Sequence, residues 1–325
     1  MGTSVVRFKR ENEDKLQWGI LENERVHPLA INALDHTDLM NCYFNDREAF
    51  NKAKSKDAIN QQALSFVSPI SNNIQMFAQG LNYCDHREES GLKVDAHEEE
   101  NLMFAKAASS ICGPHDDIYR PIGCELLDYE IELGVVLKRD IHGPTQVTDS
   151  NIGDYIGALF LCNDVSARDF MFGAPMMQWF KGKSQRTFCP AGPVLYLLDQ
   201  GDEKQLYSLE LTLKMNGKIK QNATTEQLIH KPPKTLTDIS QYADINYGDC
   251  ILTGTPGGVI GGHSVKTALA ILLNFKNDKK RRQKFIEAQK ARATFLQPGD
   301  FLELEIKSLD GSINLGKQKN MIAQA

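Results

Sequence analysis

Residues 129–137, YEIELGVVL, and residues 156–164, IGALFLCND, carry the pattern that decides the fold. Polar and apolar residues alternate at the start of the first stretch, which is typical of a β-strand whose two faces meet different surroundings. The second stretch is a continuous apolar run, which also predicts a strand. We therefore expect a chain that is organised around a β-sheet.

Further strands are predicted toward the C-terminus. Residues 209–221 and 301–316 each read as a β-hairpin, turning at Asn216-Gly217 and Asp310-Gly311, because these dipeptides favour tight two-residue turns. The short apolar segment DCILTG, residues 249–254, predicts one more strand. With a few helices between the strands, the fold class is α/β or α+β, mixed and rich in β-structure.

The N-terminal part of the chain has a different pattern. Its short apolar runs, broken by polar pairs, predict a small β-rich unit with hairpins. Residues 47–65 contain few turn-forming residues and are predicted to be helical, and SPISNNIQ then interrupts the pattern. We place a domain boundary near residue 70, which gives a small domain of residues 1–70 and a larger one of residues 71–325.

The composition indicates an ordinary globular protein of 325 residues with a net charge of -5. The acidic net charge gives no reason to expect nucleic-acid binding, which usually requires a basic surface. No run of sequence approaches the ~20 apolar residues that cross a bilayer. The N-terminus lacks the apolar stretch of a signal peptide, so a cytoplasmic location is expected. Seven cysteines without C-x-x-C spacing are expected to be free thiols, mostly buried.

Residues 264–293 are predicted to form two helical pieces separated by the basic run Lys279-Lys280-Arg281-Arg282. A nuclear-localisation or nucleic-acid role for that run is one interpretation. Because the chain as a whole is acidic, a solvated helix face is the favoured one.

Glu130 and Glu132 are the first candidate functional residues. Side chains two apart on a strand point to the same face, so both carboxylates are expected to lie together, opposite Tyr129 and Ile131. Glu303 and Glu305 have the same spacing, however, and such a pair is more often a solvated strand face than a metal site. The spacing alone therefore does not distinguish a metal site from a solvated strand face.

Asp164 is the residue that distinguishes the pair Glu130 and Glu132 from the pair Glu303 and Glu305. It ends the apolar strand that begins at Ile156, where chains often leave a sheet and open into a site. An aspartate there is equally expected as the N-cap of a following helix. If Asp164 joins Glu130 and Glu132, three carboxylates without histidine or cysteine select a hard cation, Mg²⁺, Mn²⁺ or Ca²⁺.

His86 and Glu89 are candidates for proton transfer. In a helical turn, residues three apart face each other, so the carboxylate would orient the imidazole. Such a histidine takes a proton from water near neutral pH. The alternative is an exposed polar turn.

Lys183 and the glycine-rich segment TGTPGGV, residues 253–259, complete the candidates. The lysine could stabilise an oxyanion, and the amides near Gly254 and Thr255 could bind a carboxylate. The segment lacks the spacing of a phosphate-binding P-loop.

Taken in order, these segments resemble the fumarylacetoacetate hydrolase family. The resemblance rests on spaced motifs that cover about residues 75–260 and resume near residue 296. The motifs are GLNY-x-DH, F-x-K at Phe104 to Lys106, YEIELGVV, NDVSARD, GKS-x-x-TFCPAGP, GDCILTGTPGGV and PGDFLELEI. The resemblance implies a mixed β-sandwich roll with a small N-terminal domain, usually in a homodimer.

The resemblance also implies roles for the candidate residues. Glu130, Glu132 and Asp164 match the ligands of a divalent cation, with Mg²⁺ expected first. His86 with Glu89 matches a water-activating pair, and Lys183 matches an active-site lysine. The implied substrate contacts are Arg168, Thr255, Gly254 and Lys106.

The implied activity is hydrolysis of a carbon–carbon bond in a 1,3-dicarbonyl or 2-oxo acid, such as an acylpyruvate or fumarylacetoacetate. The cation would polarise the carbonyl group and His86 would activate water. Decarboxylation of a 2-oxo dicarboxylate, or isomerisation or hydration of an intermediate of aromatic-compound breakdown, is the alternative at the same site. A non-catalytic metal-binding homologue is a third interpretation.

Two departures from the family pattern concern the substrate. Met171 stands where many relatives have a glutamine that reaches the substrate. The segment 261–295 is much longer than the usual connector, and we expect it to form a lid or to extend a dimer contact.

Overall fold

The computed structural model describes residues 1–11, 13–91, 100–174, 176–262, 274 and 276–325. Within them, strands outnumber helices, which confirms the mixed, β-rich α/β class. No helix among these residues is long and apolar enough to cross a membrane.

Most strands belong to one large sheet. Its order is β4-β3-β2-β1-β14-β12-β11-β17-β6-β7, with β5 on β1 and β8 on β14. The central strands are buried along their whole length, because their apolar runs are covered on both faces. The strands are β1 (Thr3–Arg10), β2 (Gln17–Glu22), β3 (Arg25–Pro28), β4 (Ile59–Asn60), β5 (Leu64–Val67), β6 (Met76–Gly80), β7 (Leu102–Ala105), β8 (Ile111–Cys112), β11 (Ile131–Leu137), β12 (Ile156–Asn163), β14 (Cys189–Leu197) and β17 (Cys250–Leu252).

A second sheet of five strands packs on one face of the first. Its order is β16-β15-β18-β19-β9, and a small pair, β10 with β13, lies apart. The largest apolar cluster joins the two sheets, for example through Ile131 and Leu133 on β11 and Leu211 on β15. These strands are β9 (Ile118–Arg120), β10 (Leu127–Asp128), β13 (Ser166–Ala167), β15 (Leu209–Met215), β16 (Lys218–Thr224), β18 (Phe301–Ser308) and β19 (Asn314–Gln324).

The first two helices pack on the opposite face of the large sheet. A second apolar cluster joins Leu39, Met40 and Tyr43 of the first helix to Val136 and Ala158 of the sheet. The molecule is therefore layered. The candidate site lies where β11 begins and β12 ends. The helices are α1 (His36–Asn45), α2 (Arg47–Lys52), α3 (Cys84–Glu89), α4 (Arg168–Phe172), α5 (Trp179–Lys183), α6 (Pro232–Ile239) and α7 (Asp278–Lys290).

The N-terminal hairpins are present, but they continue the large sheet. β1 runs antiparallel to β14, with Val5 opposite Leu195. The boundary near residue 70 stays a prediction, and the residues on its two sides share one sheet.

The helix predicted over residues 47–65 is largely wrong. Asp46 caps α2, which ends at Lys52, and the following apolar residues pair as β4 with β3 and as β5 with β1. Low turn content favoured a helix locally, whereas pairing with the sheet determined the outcome.

Both predicted hairpin turns are confirmed. Asn216 and Gly217 have φ angles of 50° and 76°, which suits the tight turn between β15 and β16. Asp310 and Gly311 lie in the turn between β18 and β19.

The basic run does not separate two helices. It lies in the first turns of α7, where the Asn277 side chain accepts a hydrogen bond from the Lys280 amide and caps the helix. Arg281 is fully buried and donates to the carbonyl of Gly173, so the run is not simply a solvated face. The first predicted helical piece falls mainly on residues 263–273, outside the described residues.

Candidate metal centre

The predicted carboxylate trio comes together at the ends of two paired strands. Glu130 immediately precedes β11, Glu132 lies on it, and Asp164 immediately follows β12. The antiparallel register places Ile131 opposite Asn163, and the Asp164 amide donates to the Glu130 carbonyl at 2.8 Å. One carboxylate oxygen from each residue lies within 4.8 Å of the others.

Asp164 does not cap a helix. The next helix, α4, begins at Arg168 and has Ala167 at its N-cap position. The Asp164 carboxylate is instead fully buried and faces the two glutamates. Of the two interpretations of this aspartate, the cap is therefore wrong.

Three cations surround the trio. The Lys183 ammonium donates to Glu130 at 2.9 Å, to Asp164 at 2.5 Å and to the Ser166 hydroxyl at 2.8 Å. Its three N–H donors thus have three acceptors. Lys106 donates to the other Asp164 oxygen at 2.8 Å.

Arg168 is the third cation. Its Nη2 lies 2.6 Å from Glu130 Oε1 and 2.9 Å from Asp128 Oδ2. Both Nη2 contacts are ion pairs that lack the alignment of a hydrogen bond. The aligned hydrogen bond runs from Arg168 Nε to Asp128 Oδ2 at 2.9 Å.

The carboxylates differ in their electrostatic surroundings. Burial opposes the charge of Glu130, but Lys183, Arg168 and His86 together lower its pKa to about 2. The pKa of Glu132 lies well above its ordinary value, because burial and then the charges of Asp164 and Glu130 disfavour its ionised form. Glu132 is therefore a carboxylate whose ionised form the surrounding protein disfavours.

The residues present fit a divalent cation. Glu132 Oε2 accepts a hydrogen bond from the Gly254 amide at 2.8 Å, whereas Oε1 is buried without a hydrogen-bond partner. A buried carboxylate oxygen without a partner is costly unless something binds it. Three converging carboxylates offer the oxygen ligands that Mg²⁺, Mn²⁺ or Ca²⁺ prefer. The cluster can therefore hold a divalent cation.

His86 and Glu89 lie one turn apart on α3, as predicted. His86 is buried, and its Nδ1 lies 3.9 Å from Glu89 Oε2, which is longer than a hydrogen bond. Nδ1 has no hydrogen-bond partner. Both Glu89 oxygens accept from the Gly258 amide at 3.0 Å, and His86 and this amide lower the pKa of Glu89.

The glycine-rich segment binds carboxylates of the protein itself. The Gly254 amide is directed at Glu132 and the Gly258 amide at Glu89. The Thr255 hydroxyl accepts from Gln221 Nε2 at 2.8 Å. The roles of Thr255, Gly254, Arg168 and Lys106 in binding a substrate stay predictions.

The sequence reasoning did not single out several residues that shape the site. Asp128 is fully buried beside Arg168, and Gln221 links β16 to the TGTP segment and to the Ile131 amide. Tyr83 is buried with an unpaired hydroxyl, and burial and the charge of Glu132 raise its pKa. Tyr83 could have been noticed in the GLNY motif, whereas the positions of Asp128 and Gln221 give no such signal.

Met171, the departure from the family pattern, is fully buried. It lies on α4 against α5, where a Cβ added to Gly182 would come within 2.1 Å of Met171 Cγ. The side chain therefore supports the helix that carries Lys183.

Comparison with known proteins adds a family match. The family described as fumarylacetoacetate (FAA) hydrolase C-terminal matches residues 75–323. A Bos taurus protein named oxaloacetate tautomerase FAHD2A, mitochondrial, is 35% identical over 197 residues, which are 60% of this chain and 60% of that protein's length. A Xenopus laevis protein named oxaloacetate tautomerase fahd2, mitochondrial, is 34% identical over 265 residues, which are 78% of this chain and 80% of that protein.

Solved structures share the fold. A fumarylacetoacetate hydrolase from psychrophilic Exiguobacterium antarcticum superposes with a TM-score of 0.76 and 22% identity, covering 99% of this chain and 100% of that one. A probable 2-hydroxyhepta-2,4-diene-1,7-dioate isomerase from Mycobacterium abscessus superposes with a TM-score of 0.72 and 24% identity, covering 100% of this chain and 99% of that one. At these identities the likeness concerns the fold alone.

Proposed function

The chain belongs to the fumarylacetoacetate hydrolase family, and from that premise we propose that it is a divalent-metal enzyme acting on a small 2-oxo dicarboxylic acid. The proposed reaction is keto–enol tautomerisation, with oxaloacetate as the first substrate to test. The observation that carries the proposal is His86, a buried imidazole whose Nδ1 has no hydrogen-bond partner and whose electrostatic influence reaches Glu130. The names of the Bos taurus and Xenopus laevis relatives support this choice of reaction.

The cation would be held by Glu130, Glu132 and Asp164. When bound, it would supply Lewis acidity that polarises the ketone and favours loss of a proton from the neighbouring carbon. Lys183 and Arg168 already contact Glu130, so they keep that ligand ionised and fixed in place. Lys106 forms an ion pair with Asp164 and fixes that carboxylate in place.

His86 would move the proton. The imidazole takes a proton from the carbon beside the ketone, the C–H electron pair forms a carbon–carbon double bond while the carbonyl π pair moves onto oxygen, and the imidazolium returns its proton to that oxygen. Glu89 stabilises the transient imidazolium, because its carboxylate lies 3.9 Å from Nδ1. The site is largely closed to water, since His86 and Arg168 are each buried.

A second candidate is the hydrolysis of a carbon–carbon bond, which the sequence favours. The observation for it is the same His86–Glu89 pair, because an imidazole beside a carboxylate can also take a proton from water. Lys183 would then stabilise the oxyanion that forms, in place of one of its present acceptors. Hydrolysis, Mg²⁺ as the physiological cation and a homodimer all stay predictions.

A substrate panel separates the two candidates. The protein, titrated with Mg²⁺ or Mn²⁺, is given enol oxaloacetate, an acylpyruvate and fumarylacetoacetate, and ketonisation and bond cleavage are followed separately. Tautomerisation is supported if ketonisation is accelerated and if both His86→Gln and Glu130→Gln abolish the acceleration. Glu303→Gln on β18 is the matched control and should behave as the unmodified protein.

The outcomes are distinct. Faster cleavage of an acylpyruvate than ketonisation of oxaloacetate would replace the first candidate by the second. No metal-dependent turnover of any panel member would refute both.

A further inference from the structure

Gln289 on α7 clamps the end of the glycine-rich loop. The side chain is buried, and its Nε2 donates to the Gly262 carbonyl at 2.7 Å. The Gly262 amide donates back to Gln289 Oε1 at 3.4 Å. A side-chain amide carries both a donor and an acceptor, so it can pair with a backbone residue in this way. The contact joins α7 to the loop that follows TGTP.

The clamped loop in turn holds Asp128. The Ile260 amide donates to Asp128 Oδ1 at 3.0 Å, and the Gly261 amide donates to Oδ2 at 2.8 Å. A Cβ added to Gly261 would lie 3.0 Å from Arg168 Nε and 3.2 Å from Asp128 Oδ2. The backbone of the loop therefore touches both partners of the Asp128–Arg168 pair.

Asp128 fixes Arg168, which reaches the candidate metal ligand. Arg168 Nε donates to Asp128 Oδ2 at 2.9 Å, and Nη2 lies 2.6 Å from Glu130 Oε1. Asp128 is fully buried, so its charge has little solvent to stabilise it and depends on these partners. The contacts thus run from Gln289 to Gly262, along the backbone to Gly261, and from there through Asp128 and Arg168 to Glu130.

The same helix also supports the element that carries Arg168. Arg282 donates to the buried carboxylate of Asp169 at 2.7 Å, next to Arg168 at the start of α4. Phe285 packs on Phe172 at the other end of α4, with ring centroids 5.9 Å apart. Two sets of contacts, one polar and one apolar, therefore connect α7 to the site.

We propose that Gln289 is a positioning residue, which holds the 257–262 loop so that Asp128 orients Arg168 against Glu130. The proposal rests on the proposed function in one respect, that Glu130 binds the cation. α7, which lies in the segment that departs from the family pattern, then serves the site of this chain through Gln289.

Gln289→Met tests the proposal, because it removes both hydrogen bonds and keeps a side chain of similar length. Gln283→Met is the matched control, since Gln283 is exposed on the same helix. The first measurement is hydrogen exchange of the 257–262 amides in the metal-free protein. We expect faster exchange in Gln289→Met alone. Exchange equal to that of the unmodified protein would overturn the clamp.

The second measurement is the dissociation constant of Mn²⁺, in a cycle with Asp128→Asn. Gln289→Met should raise the constant about tenfold, in the range seen when groups that orient metal ligands are lost. In the Asp128→Asn background, the same substitution should change it less than about twofold, because the relay is already broken. An equal factor in both backgrounds would show that Gln289 acts independently of Asp128, and the proposal would be wrong.

This design separates the proposal from the proposed function. Mn²⁺ binding and amide exchange need no substrate, so they decide the role of Gln289 even if every panel substrate fails. Conversely, metal-dependent tautomerisation together with an unchanged Mn²⁺ constant in Gln289→Met would refute only the positioning role.

Discussion

Glu130 with Glu132 and Glu303 with Glu305 have the same spacing on similar strands, yet the fold gives them opposite surroundings. The first pair is at the start of β11, in the middle of the large sheet, with 5% and 0% of the residue surface exposed. The second pair lies on β18, whose apolar residues alternate into the core while Glu303 and Glu305 stay half-exposed. The spacing places both pairs on one strand face, and burial then makes them different.

The neighbours of the two pairs differ as well. Glu305 lies 3.6 Å from Lys307, which is half-buried, and 3.6 Å from Lys317, which is exposed, and water can stabilise its charge. Glu132 has no cation within ion-pair distance among the described residues and is closed off from water. The first pair therefore differs from the second in two ways: its carboxylates converge with that of Asp164, and the protein disfavours the ionised form of Glu132.

The largest expected difference between the two pairs is in metal-dependent turnover when one glutamate of each pair is replaced. Glu132→Gln keeps the shape of the side chain but removes a charged ligand. We expect metal-dependent turnover to fall about 10³-fold or more, equivalent to about 4 kcal/mol of transition-state stabilisation. Glu305→Gln should change turnover less than about twofold. Initial rates against Mn²⁺ concentration measure both.

Thermal unfolding gives an independent check on this contrast. Mn²⁺ should raise the melting temperature of the unmodified protein and of Glu305→Gln, but not that of Glu132→Gln, because a ligand stabilises only the state that binds it. Equal stabilisation of all three proteins would contradict the assignment of Glu132 as a ligand.

The lysines next to the two pairs should differ in their contribution to stability. Lys183→Met leaves Glu130 and Asp164 buried with one cation fewer, and we expect the metal-free protein to lose about 3 kcal/mol of unfolding free energy. Lys317→Met removes an exposed partner of Glu305 and should cost less than about 1 kcal/mol. Urea unfolding measures both, and similar losses would show that burial does not separate the pairs.

His36 shows how burial changes the pKa of a side chain whose hydrogen bonds are all made. His36 is fully buried, its Nε2 lies 2.9 Å from the Gly248 carbonyl, and its Nδ1 accepts from the Ser71 amide. Burial lowers the pKa of His36, and the charge of Arg7 lowers it further. The hydrogen bond to Gly248 and the charges of Asp35 and Asp249 favour the protonated form, but they are outweighed. The neutral imidazole is therefore the form that suits the fold.

The sign of the pH effect follows from this lowered pKa. Below about pH 6.5 the unfolded chain binds a proton that the folded chain does not, so stability falls as the pH falls, by at most about 1.4 kcal/mol per pH unit. Urea unfolding between about pH 7 and pH 5.5 should show a steeper loss for the unmodified protein than for His36→Gln. Equal slopes would exclude His36 as the cause.

Much of the fold was predictable because its signals are local. The alternation in YEIEL, the apolar run before Asp164 and the turn at Asn216-Gly217 each specify their own element. The helix predicted over residues 47–65 was wrong beyond Lys52, since strand pairing with β1 and β3 is set by residues far away in the chain. The missing prediction of α1 has a similar origin, because Leu39 and Met40 gain their stability by packing on the large sheet.

The candidate site was predictable in part for the same reason. Glu130, Glu132 and Asp164 stand at the ends of recognisable strands, and His86 with Glu89 has helical spacing. Asp128, Gly262 and Gln289 are far apart in sequence and meet only in the folded chain, so no spacing pattern connects them. The predicted cytoplasmic location rests on the N-terminal residues alone and stays a prediction, while the Bos taurus and Xenopus laevis relatives are named as mitochondrial.

The β11–β12 register also has a consequence for quality control during folding. A slip of one residue would turn the side chains of one strand to its other face, although the apolar runs would still find apolar neighbours. Such a chain could collapse and bury its strands, yet Glu130, Glu132 and Asp164 would no longer converge. A cation bound by the three carboxylates would thus stabilise correctly aligned molecules, and misaligned ones would lack that stabilisation.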